Sequence, residues 1–444
     1  MDNKHSEIKS AEVPETAKQV EEIYGRWPWV ERRVWSPRML QALENGVKGD
    51  KWFSLIDKVW KKDNLGAAWV RAFINGGSAG IDGQSIKQFT AQLGRELDRL
   101  HVEIVDGSYD PPAVRRCWIP KPGSLEKRPL GIPAVRDRIV QGAIRNVIEP
   151  IFEHIFAEHS YGFRPGRGCK DALRRVQQLL RQGKTWVVDV DFKGYFDSIP
   201  HDKLTERVKE SISDGKLLAL LEKYLKAGVF DALKGWEPTE QGTPQGAVIS
   251  PLLANLYLNR LDHLMASKGF EMTRYADDFV VQCRNQKEAE EALEWIRQWS
   301  KENGLTIHPT KTRIVDERQK GGFEFLGYHF ERAMKWPRQK SLDKLKDTIR
   351  NRTGRTQGKS MNEVIGSLTP TMRGWFQYFK HSHRNVFPKI DGWVRMRLRS
   401  ILRKDLGKRG RGRGSDHQRW PNAYFDNLGF FSLEKAYELL LQPH

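Results

Sequence analysis

The sequence predicts an α+β fold across residues 46–330, followed by a basic and mostly α-helical segment. Between 84 and 330, short runs with the two-residue period of a strand are mixed with longer runs whose apolar positions recur at helical spacing. Two of the strand-like runs, 186–197 and 274–281, set carboxylates among apolar residues. From 331 to 420 the apolar spacing is helical, and 24 Lys and Arg face seven Asp and Glu.

Along the chain, residues 1–20 are polar and of mixed charge, which suggests a mobile tail at the head of an N-terminal extension, 1–45. Trp27, Trp29, Trp35, Trp52, Trp60 and Trp69 then recur in helix-compatible segments. Exposed tryptophans could stack on bases, but most are expected in the core, because each large aromatic buries about 150–250 Å2. Gly76-Gly77-Ser78-Ala79-Gly80-Ile81-Asp82-Gly83 is a glycine-rich loop. A helix is expected at 98–106, a short strand at 115–119 and a long amphipathic helix at 137–156. Helices at 251–267 and 286–303 alternate with the later strands. A helical domain at 331–404 follows, and 405–444 forms a basic C-terminal segment, a candidate for DNA contact. Within it Lys408-Arg409-Gly410-Arg411-Gly412-Arg413-Gly414 is too flexible to fold alone, and serves either as a phosphate grip or as a solvated linker.

A chain of 444 residues is long enough for two to three domains. Seventy-five Lys plus Arg against 56 Asp plus Glu leave a net charge of +19, so a polyanionic partner is expected, nucleic acid rather than membrane. The polar N-terminus has no signal-peptide core, and no run reaches the ~18 apolar residues of a spanning helix. A cytoplasmic protein without membrane contact is the expectation. Cys117, Cys169 and Cys283 lie far apart, which argues against a disulfide framework and a zinc module.

The chemistry centres on Arg274-Tyr275-Ala276-Asp277-Asp278-Phe279-Val280-Val281. Adjacent carboxylates at a strand-turn-strand point are costly unless a cation neutralises them, although a solvated Asp-rich turn explains the dipeptide alone more simply. Upstream, the alternation through Trp186-Val187-Val188-Asp189-Val190-Asp191 puts Asp189 and Asp191 on one strand face. Carboxylates from separate strands can hold two divalent ions ~3.5–4 Å apart, one activating a 3′-hydroxyl and one steadying a leaving phosphate.

Tyr275-Ala276-Asp277-Asp278 resembles the signature hairpin of reverse transcriptases, and further blocks follow in that family's order. They are Ile119-Pro120-Lys121-Pro122, Arg128-Pro129-Leu130-Gly131-Ile132-Pro133, Ser160-Tyr161-Gly162-Phe163-Arg164-Pro165-Gly166, the Asp189 to Asp197 stretch, Gly242-Thr243-Pro244-Gln245-Gly246 through Ser250-Pro251-Leu252-Leu253-Ala254-Asn255, and Phe325-Leu326-Gly327-Tyr328. Leu368-Thr369-Pro370-Thr371-Met372-Arg373-Gly374-Trp375-Phe376-Gln377-Tyr378-Phe379 resembles the maturase, or X, region of the same proteins. The chain is thus similar to a bacterial group II intron reverse transcriptase and maturase, in the form that lacks a His-Asn-His endonuclease domain, because nothing after Trp420 resembles one. The resemblance implies a right-hand polymerase of fingers and palm followed by an α-helical thumb, or X, domain, unable to cut a second target strand by itself.

It also implies roles. Asp191, Asp277 and Asp278 would be the catalytic ligands of two Mg2+ ions, Asp277 contacting both and Asp278 supporting the hairpin and the primer end. Asp191 is preferred to Asp189 because the family places its ligand four residues before an aromatic, here Tyr195; Asp189 stays open. Tyr195, beneath the incoming ribose, would exclude a 2′-hydroxyl. Lys121 and Arg128 would close over the triphosphate, Gln245 would lie near the sugar, and Lys311 matches a lysine proposed to protonate leaving pyrophosphate. Ala247 stands where many relatives have glycine. In the thumb, Arg373, Lys380, Arg395, Arg397, Arg399, Arg403 and Lys404 would track RNA phosphates from a basic helix. His381 and His383, two apart, diverge on a helix and are not expected to pair on a metal.

The function expected is RNA-directed DNA synthesis coupled to binding of the parent intron RNA, with RNA template, DNA primer or target and deoxynucleoside triphosphates as partners. The oligomeric state stays open, a dimer included. Two other classes remain in view: a domesticated reverse transcriptase, for instance one in antiphage defence, and an RNA-binding maturase with dead polymerase chemistry.

Overall fold

A computed structural model describes residues 15–47, 49–120, 127–412 and 414–442. The chain forms two compact units, each assembled from several stretches: residues up to 174, 190–279 and 291–312 in the first, and 175–189, 280–290 and 313 onward in the second.

The first unit is organised on helix Val135–Ile155. Val135, Ile139, Val140, Ala143, Ile144, Val147, Ile148 and Phe152 are fully buried, as they must be in a helix covered on nearly every side. Helix Lys62–Asn75 packs against it at Gly142, where a Cβ would come within 3.1 Å of the Ala68 Cβ. The polar atoms this packing buries are paired: Asn64 Nδ2 donates to the Ala143 carbonyl at 3.0 Å, and Asn146 Nδ2 to Asn64 Oδ1 at 2.8 Å. Trp35 enters the same core, its Nε1 donating to the Asn146 carbonyl at 3.0 Å. Helix Pro37–Asn45 of the N-terminal extension therefore packs as part of this unit. Of the tail expected at 1–20, residues 1–14 lie outside the described residues and 15–20 belong to helix Glu15–Arg26.

A four-stranded sheet in this unit has the order Lys127–Ile132, Val114–Pro120, Val229–Asp231, Gly235–Glu237. Its first two strands form an antiparallel hairpin with Cys117 opposite Leu130 and Ile119 opposite Arg128. Helix Ser250–Ser267 begins with Pro251 in its first turn, where a missing N–H breaks no bond. It is buried from Leu252 to Asn259 and more exposed toward its end, and one buried stripe of it, Asn255, Asn259 and Asp262, is polar.

The acidic segments belong to a sheet ordered Glu271–Tyr275, Asp278–Cys283, Trp186–Val190, Arg313–Asp316. Asp189 stands opposite Arg313. The strand expected over 186–197 stops at Val190: Gly194 takes φ +60°, and Tyr195–Ser198 is a helical turn.

The second unit is mainly helical. Helices Gln339–Arg352, Met361–Phe379 and Val386–Asp405 enclose Leu345, Ile349, Leu368, Met372, Phe376, Phe387, Val394 and Leu398. Met361–Phe379 starts on a reciprocal cap: Ser360 Oγ accepts from Glu363 N, and the Glu363 carboxylate accepts from Ser360 N at 2.8 Å. Residues 405–444, expected as a separate basic segment, instead supply helices Ser415–Arg419, Asn422–Asn427 and Leu433–Leu441, and Trp420, Phe425, Phe430 and Leu433 complete the same core. Asp391 fastens the last of them by accepting from Ser432 Oγ at 2.7 Å, Leu433 N at 3.1 Å and Glu434 N at 3.0 Å. The glycine-rich run is tied down as well, with Gly412 N donating to Ser400 Oγ at 3.3 Å and Arg403 Nε to the Arg409 carbonyl at 2.9 Å. Composition alone did not disclose these anchors, because they lie on another helix. Among the described residues, no helix is long and apolar enough to cross a membrane.

Candidate active site

The hairpin that carries Asp277 and Asp278 turns at Ala276, whose φ of +59° is unusual for a residue with a side chain. Such a turn needs support, and a buried arginine supplies it. Arg274 is 0% exposed. Its Nη1 donates to the Ala276 carbonyl at 2.9 Å and to Asn255 Oδ1 at 2.8 Å, while its Nε and Nη2 bind the Asp262 carboxylate. Asn255 Nδ2 donates onward to the Gly162 carbonyl at 2.7 Å. Gly162 lies so close to the turn that a Cβ there would come 2.3 Å from the Ala276 nitrogen. Asn259 grips the same flanking segment through Ala157 N and the Ile155 carbonyl. The segment 155–162 and helix Ser250–Ser267 thus form one buried polar frame around the turn.

Within that frame Asp277 is half-buried and Asp278 is exposed. Burial pushes the Asp277 carboxyl above its ordinary pKa, opposed by a bond from its own backbone N–H. The negative charge of Asp191 adds to the rise, while Arg128 and Arg274 oppose it. Asp191, Asp277 and Arg128 therefore share one neighbourhood. Asp191 follows directly on strand Trp186–Val190, and its carbonyl accepts from His308 N at 2.7 Å. Lys311 Nζ reaches Asp191 Oδ2 at 2.6 Å, with both side chains substantially exposed. Asp189 is drawn elsewhere, to Arg313 at 3.4 Å.

Gln245 is fixed between two elements. Its carbonyl accepts from Gly131 N at 2.6 Å, and its Nε2 donates to Asp197 Oδ2 at 3.3 Å. Gly246 must be glycine: it takes φ +111°, and a Cβ would meet the Gly131 carbonyl oxygen at 2.3 Å. Gly242 N and Thr243 N donate to the Ile199 and Phe196 carbonyls at 2.7 and 2.6 Å, and His201 Nε2 donates to the Gly242 carbonyl at 2.7 Å. Burial lowers the His201 pKa, which suits a neutral ring donating one hydrogen bond. Ala247, the departure from glycine, is buried and its N–H closes a turn onto the Pro244 carbonyl at 3.1 Å.

Tyr195 does not line an open pocket. It is 2% exposed, its hydroxyl donates to the Ala254 carbonyl at 2.6 Å, and its ring packs on Phe192 and edge-on to Phe196. Phe196 is the half-buried ring of the pair. Lys121 lies outside the described residues.

The arginines expected to face RNA divide by position on helix Val386–Asp405. Arg395 and Arg399 are buried, at 5% and 2% exposure, and point at the C-terminal helices. Arg395 pairs with Asp426 at 3.0 Å, Arg399 donates to the Trp420 carbonyl and Asn422 Oδ1, and Arg403 pairs with Asp416 at 2.6 Å. This stripe holds the fold together and offers RNA little. Arg397 and Lys404 lie on the other stripe, Arg373 sits over the Phe431 ring at 5.4 Å, and Lys380 caps the end of helix Met361–Phe379.

Sequence reasoning assigned no role to Arg274, Asp262, Asn255, Gly162, Asp197 and His201, although Arg274, Asn255, Gly162 and Asp197 stand inside its motif blocks. One signal was present: Asn255, Asn259 and Asp262, at helical spacings of four and three in an otherwise leucine-rich run, mark a polar stripe that a core helix keeps only if each member is bonded.

Asp191, Asp277 and Asp278 provide only oxygen donors, which suit a hard divalent cation such as Mg2+ and not a zinc centre. Among the described residues, no group of three His, Cys, Asp or Glu side chains stands in metal-holding geometry. Asp191 and Asp277 lie within electrostatic reach of each other without closing into a cage, and Lys311 supplies the cation that Asp191 faces.

Residues 119–330 match the family described as reverse transcriptase (RNA-dependent DNA polymerase), and residues 342–420 match the group II intron, maturase-specific domain. The second match runs past 404 to Trp420, within the core described above. Over 57% of its length the chain is 35% identical to protein YkfC of Escherichia coli, covering 76% of that protein. It is 42% identical to the group II intron-encoded protein LtrA of Lactococcus lactis over 42% of its own length and 31% of LtrA. It is 29% identical to an uncharacterized 91 kDa protein in the cob intron of Schizosaccharomyces pombe, over 61% of its length and 43% of that protein. The aligned part thus spans less than half of each of the two intron-encoded relatives.

Proposed function

The chain belongs to the family of reverse transcriptases that carry a group II intron maturase domain, and from that premise we propose that it copies RNA into DNA and binds an intron RNA whose splicing it assists. The observation that carries the polymerase reading is the gathering of Asp191, Asp277 and Arg128 at a turn braced by a fully buried arginine. Asp191 and Asp277 would hold two Mg2+ ions, with Asp278 at their edge supporting the primer end. When bound, such ions lower the pKa of a 3′-hydroxyl and neutralise charge on the departing pyrophosphate.

The chain's own residues do the rest. Arg128 stands within electrostatic reach of Asp277, where a guanidinium can take a triphosphate with two parallel hydrogen bonds. Lys121 is assigned the same task from its motif. Lys311, held against Asp191, would pass a proton to pyrophosphate. Gln245, fixed at both ends, meets the sugar. Tyr195, buried and bonded to the Ala254 carbonyl, would back the half-buried Phe196 ring rather than meet the sugar itself. The relatives named for introns support the maturase role.

Primer extension on an RNA template tests the reading. Asp277→Ala removes a ligand worth several kcal/mol, so extension should fall by about 10^3-fold or more while RNA binding persists. Unchanged extension would sink the site assignment. Sequencing the RNA that co-purifies from the native host tests the intron partner: a large structured RNA from around the reading frame is expected, and a different short RNA, or none, would point to a domesticated polymerase.

A further inference from the structure

Beside the loop that carries Gln245 lies a cavity of about 780 Å3, formed between helix His201–Ser211, helix Gly215–Lys226 and the extended segment 238–241. A bridge between Pro200 and Gln241 fastens that segment to the entry of the first helix. Four carboxylates line the cavity, those of Asp202, Glu206, Glu222 and Glu240, against the two ammonium groups of Lys209 and Lys226. Lys226 answers Glu222 at 3.9 Å. Among the described residues no cationic side chain pairs with Asp202, Glu206 or Glu240. Asp202 and Glu206, four residues apart on one helix face, repel each other.

Exposed acids alone can rest in water and need no ligand. His201, which also lines the cavity, sets this one apart. The residue is only 9% exposed, and its Nε2 donates to the Gly242 carbonyl at 2.7 Å. Burial lowers its pKa, so the ring is neutral and Nδ1 keeps its lone pair. Among the described residues nothing donates to Nδ1, which keeps contact with solvent. An unused acceptor on a nine-tenths buried side chain and three unanswered carboxylates all ask for the same thing, a cation that carries N–H donors. A single metal ion does not fit, since among the described residues no three His, Cys, Asp or Glu side chains come together around one point. Separated ammonium groups on a flexible chain do fit, and Pro200, Leu225 and Pro238 offer apolar surface to the methylenes between them.

We propose that this cavity binds a linear aliphatic polyamine, whose ammonium groups donate to the carboxylates of Asp202, Glu206 and Glu240 and to His201 Nδ1. An amine on Nδ1 locks the tautomer that holds Gly242, at the head of the loop carrying Gln245. Binding there needs neither RNA nor polymerisation, so it stands or falls apart from the reverse transcriptase reading.

The test is calorimetric titration of spermidine into the full chain, freed of nucleic acid, at about 150 mM KCl, where diffuse surface attraction is screened. One equivalent is expected to bind, saturating with a Kd below about 1 mM. Hexamethonium, whose charges carry no N–H, should bind at least about tenfold more weakly, because the acceptors then go unmet. Glu206→Gln with Glu240→Gln should weaken spermidine about tenfold at unchanged Tm, through loss of two exposed charge contacts. The site is overturned by absence of saturation, by uptake of several equivalents, by hexamethonium binding as tightly as spermidine, or by a double variant equal to wild type at unchanged Tm. Should the double variant lose Tm, Glu240→Gln, outside both helices, decides alone: binding about threefold weaker supports the site, and unchanged binding overturns it. Wild-type primer extension, measured separately, shows whether the reverse transcriptase reading holds.

Discussion

Asp262 does not belong to any motif that names the chemistry, yet its replacement should disable the site from within the fold. Asp262→Ala would leave the Arg274 guanidinium, 0% exposed, without the carboxylate that takes its Nε and Nη2. Stranding one member of a buried ion pair costs about 3–5 kcal/mol, a large part of the ~5–15 kcal/mol that keeps a domain folded. Asp262→Asn is the gentler probe, keeping the shape and one acceptor and costing about 1.5–3 kcal/mol, the value of a hydrogen bond to a charged group. The decisive variant replaces both members, Asp262→Leu with Arg274→Met. Swapping a buried ion pair for well-packed apolar residues is often neutral or stabilising, so urea unfolding should recover toward wild type. Primer extension should not recover, because the Ala276 carbonyl and Asn255 Oδ1 have still lost the donor that fixed the turn. If Asp262→Asn unfolds within ~0.5 kcal/mol of wild type, or if the double variant regains full extension, Arg274 is not what positions Asp277.

Three further outcomes are expected. Gly246→Ala forces a side chain onto φ +111° and 2.3 Å from the Gly131 oxygen; with strain of about 1–3 kcal/mol, KM for deoxynucleotides should rise more than RNA affinity changes, and an unchanged KM would remove Gln245 from the nucleotide site. Asp137, which accepts from the Tyr109 hydroxyl at 2.5 Å, has its pKa raised by burial to about 7 from 3.8. The native chain thus keeps a proton that the unfolded chain has released between pH ~4 and ~7, so stability falls as pH rises through that window, by on the order of 4 kcal/mol. Asp137→Asn should flatten that dependence in urea titrations, and an identical pH profile would refute it. Arg399→Ala removes a 2%-exposed side chain and leaves the Trp420 carbonyl unpaired, so urea unfolding should show a loss of about 2–4 kcal/mol. Its salt slope for RNA should match wild type, since that side chain never met phosphate.

The sequence disclosed most where the physics is local. Strand periodicity at Trp186–Val190, helix spacing at Val135–Ile155 and the paired aspartates were all legible, because each depends on near neighbours in the chain. The strand end at Val190 was not, since Asp191 to Asp197 keeps an alternating look while Gly194, in a left-handed conformation, breaks the strand. The frame behind the turn was illegible for a different reason. Arg274 reads as one more basic residue until the fold brings Asp262, Asn255 and Gly162 to it from two other segments. Tyr195 was readable as an aromatic at a given spacing, but its burial under the Ala254 carbonyl belongs to tertiary structure.

The alternation Arg395, Arg397, Arg399 shows how charge misleads when read by count. On a strand all three would share one face; on a helix, 395 and 399 share a face, and 397 is turned about 160° in projection from each of them. Only the helix separates 397 from the other two, and neither composition nor spacing could say which face of that helix met solvent. The deciding fact lies far along the chain, where Asp416, Asp426 and the Trp420 carbonyl accept one stripe and leave the other. An arginine neutralised inside the fold contributes to the formal +19 but releases no counterion when RNA binds. Within the thumb the salt slope therefore registers the exposed cations and not the buried stripe, and it must come out below what the thumb's Lys and Arg content would suggest.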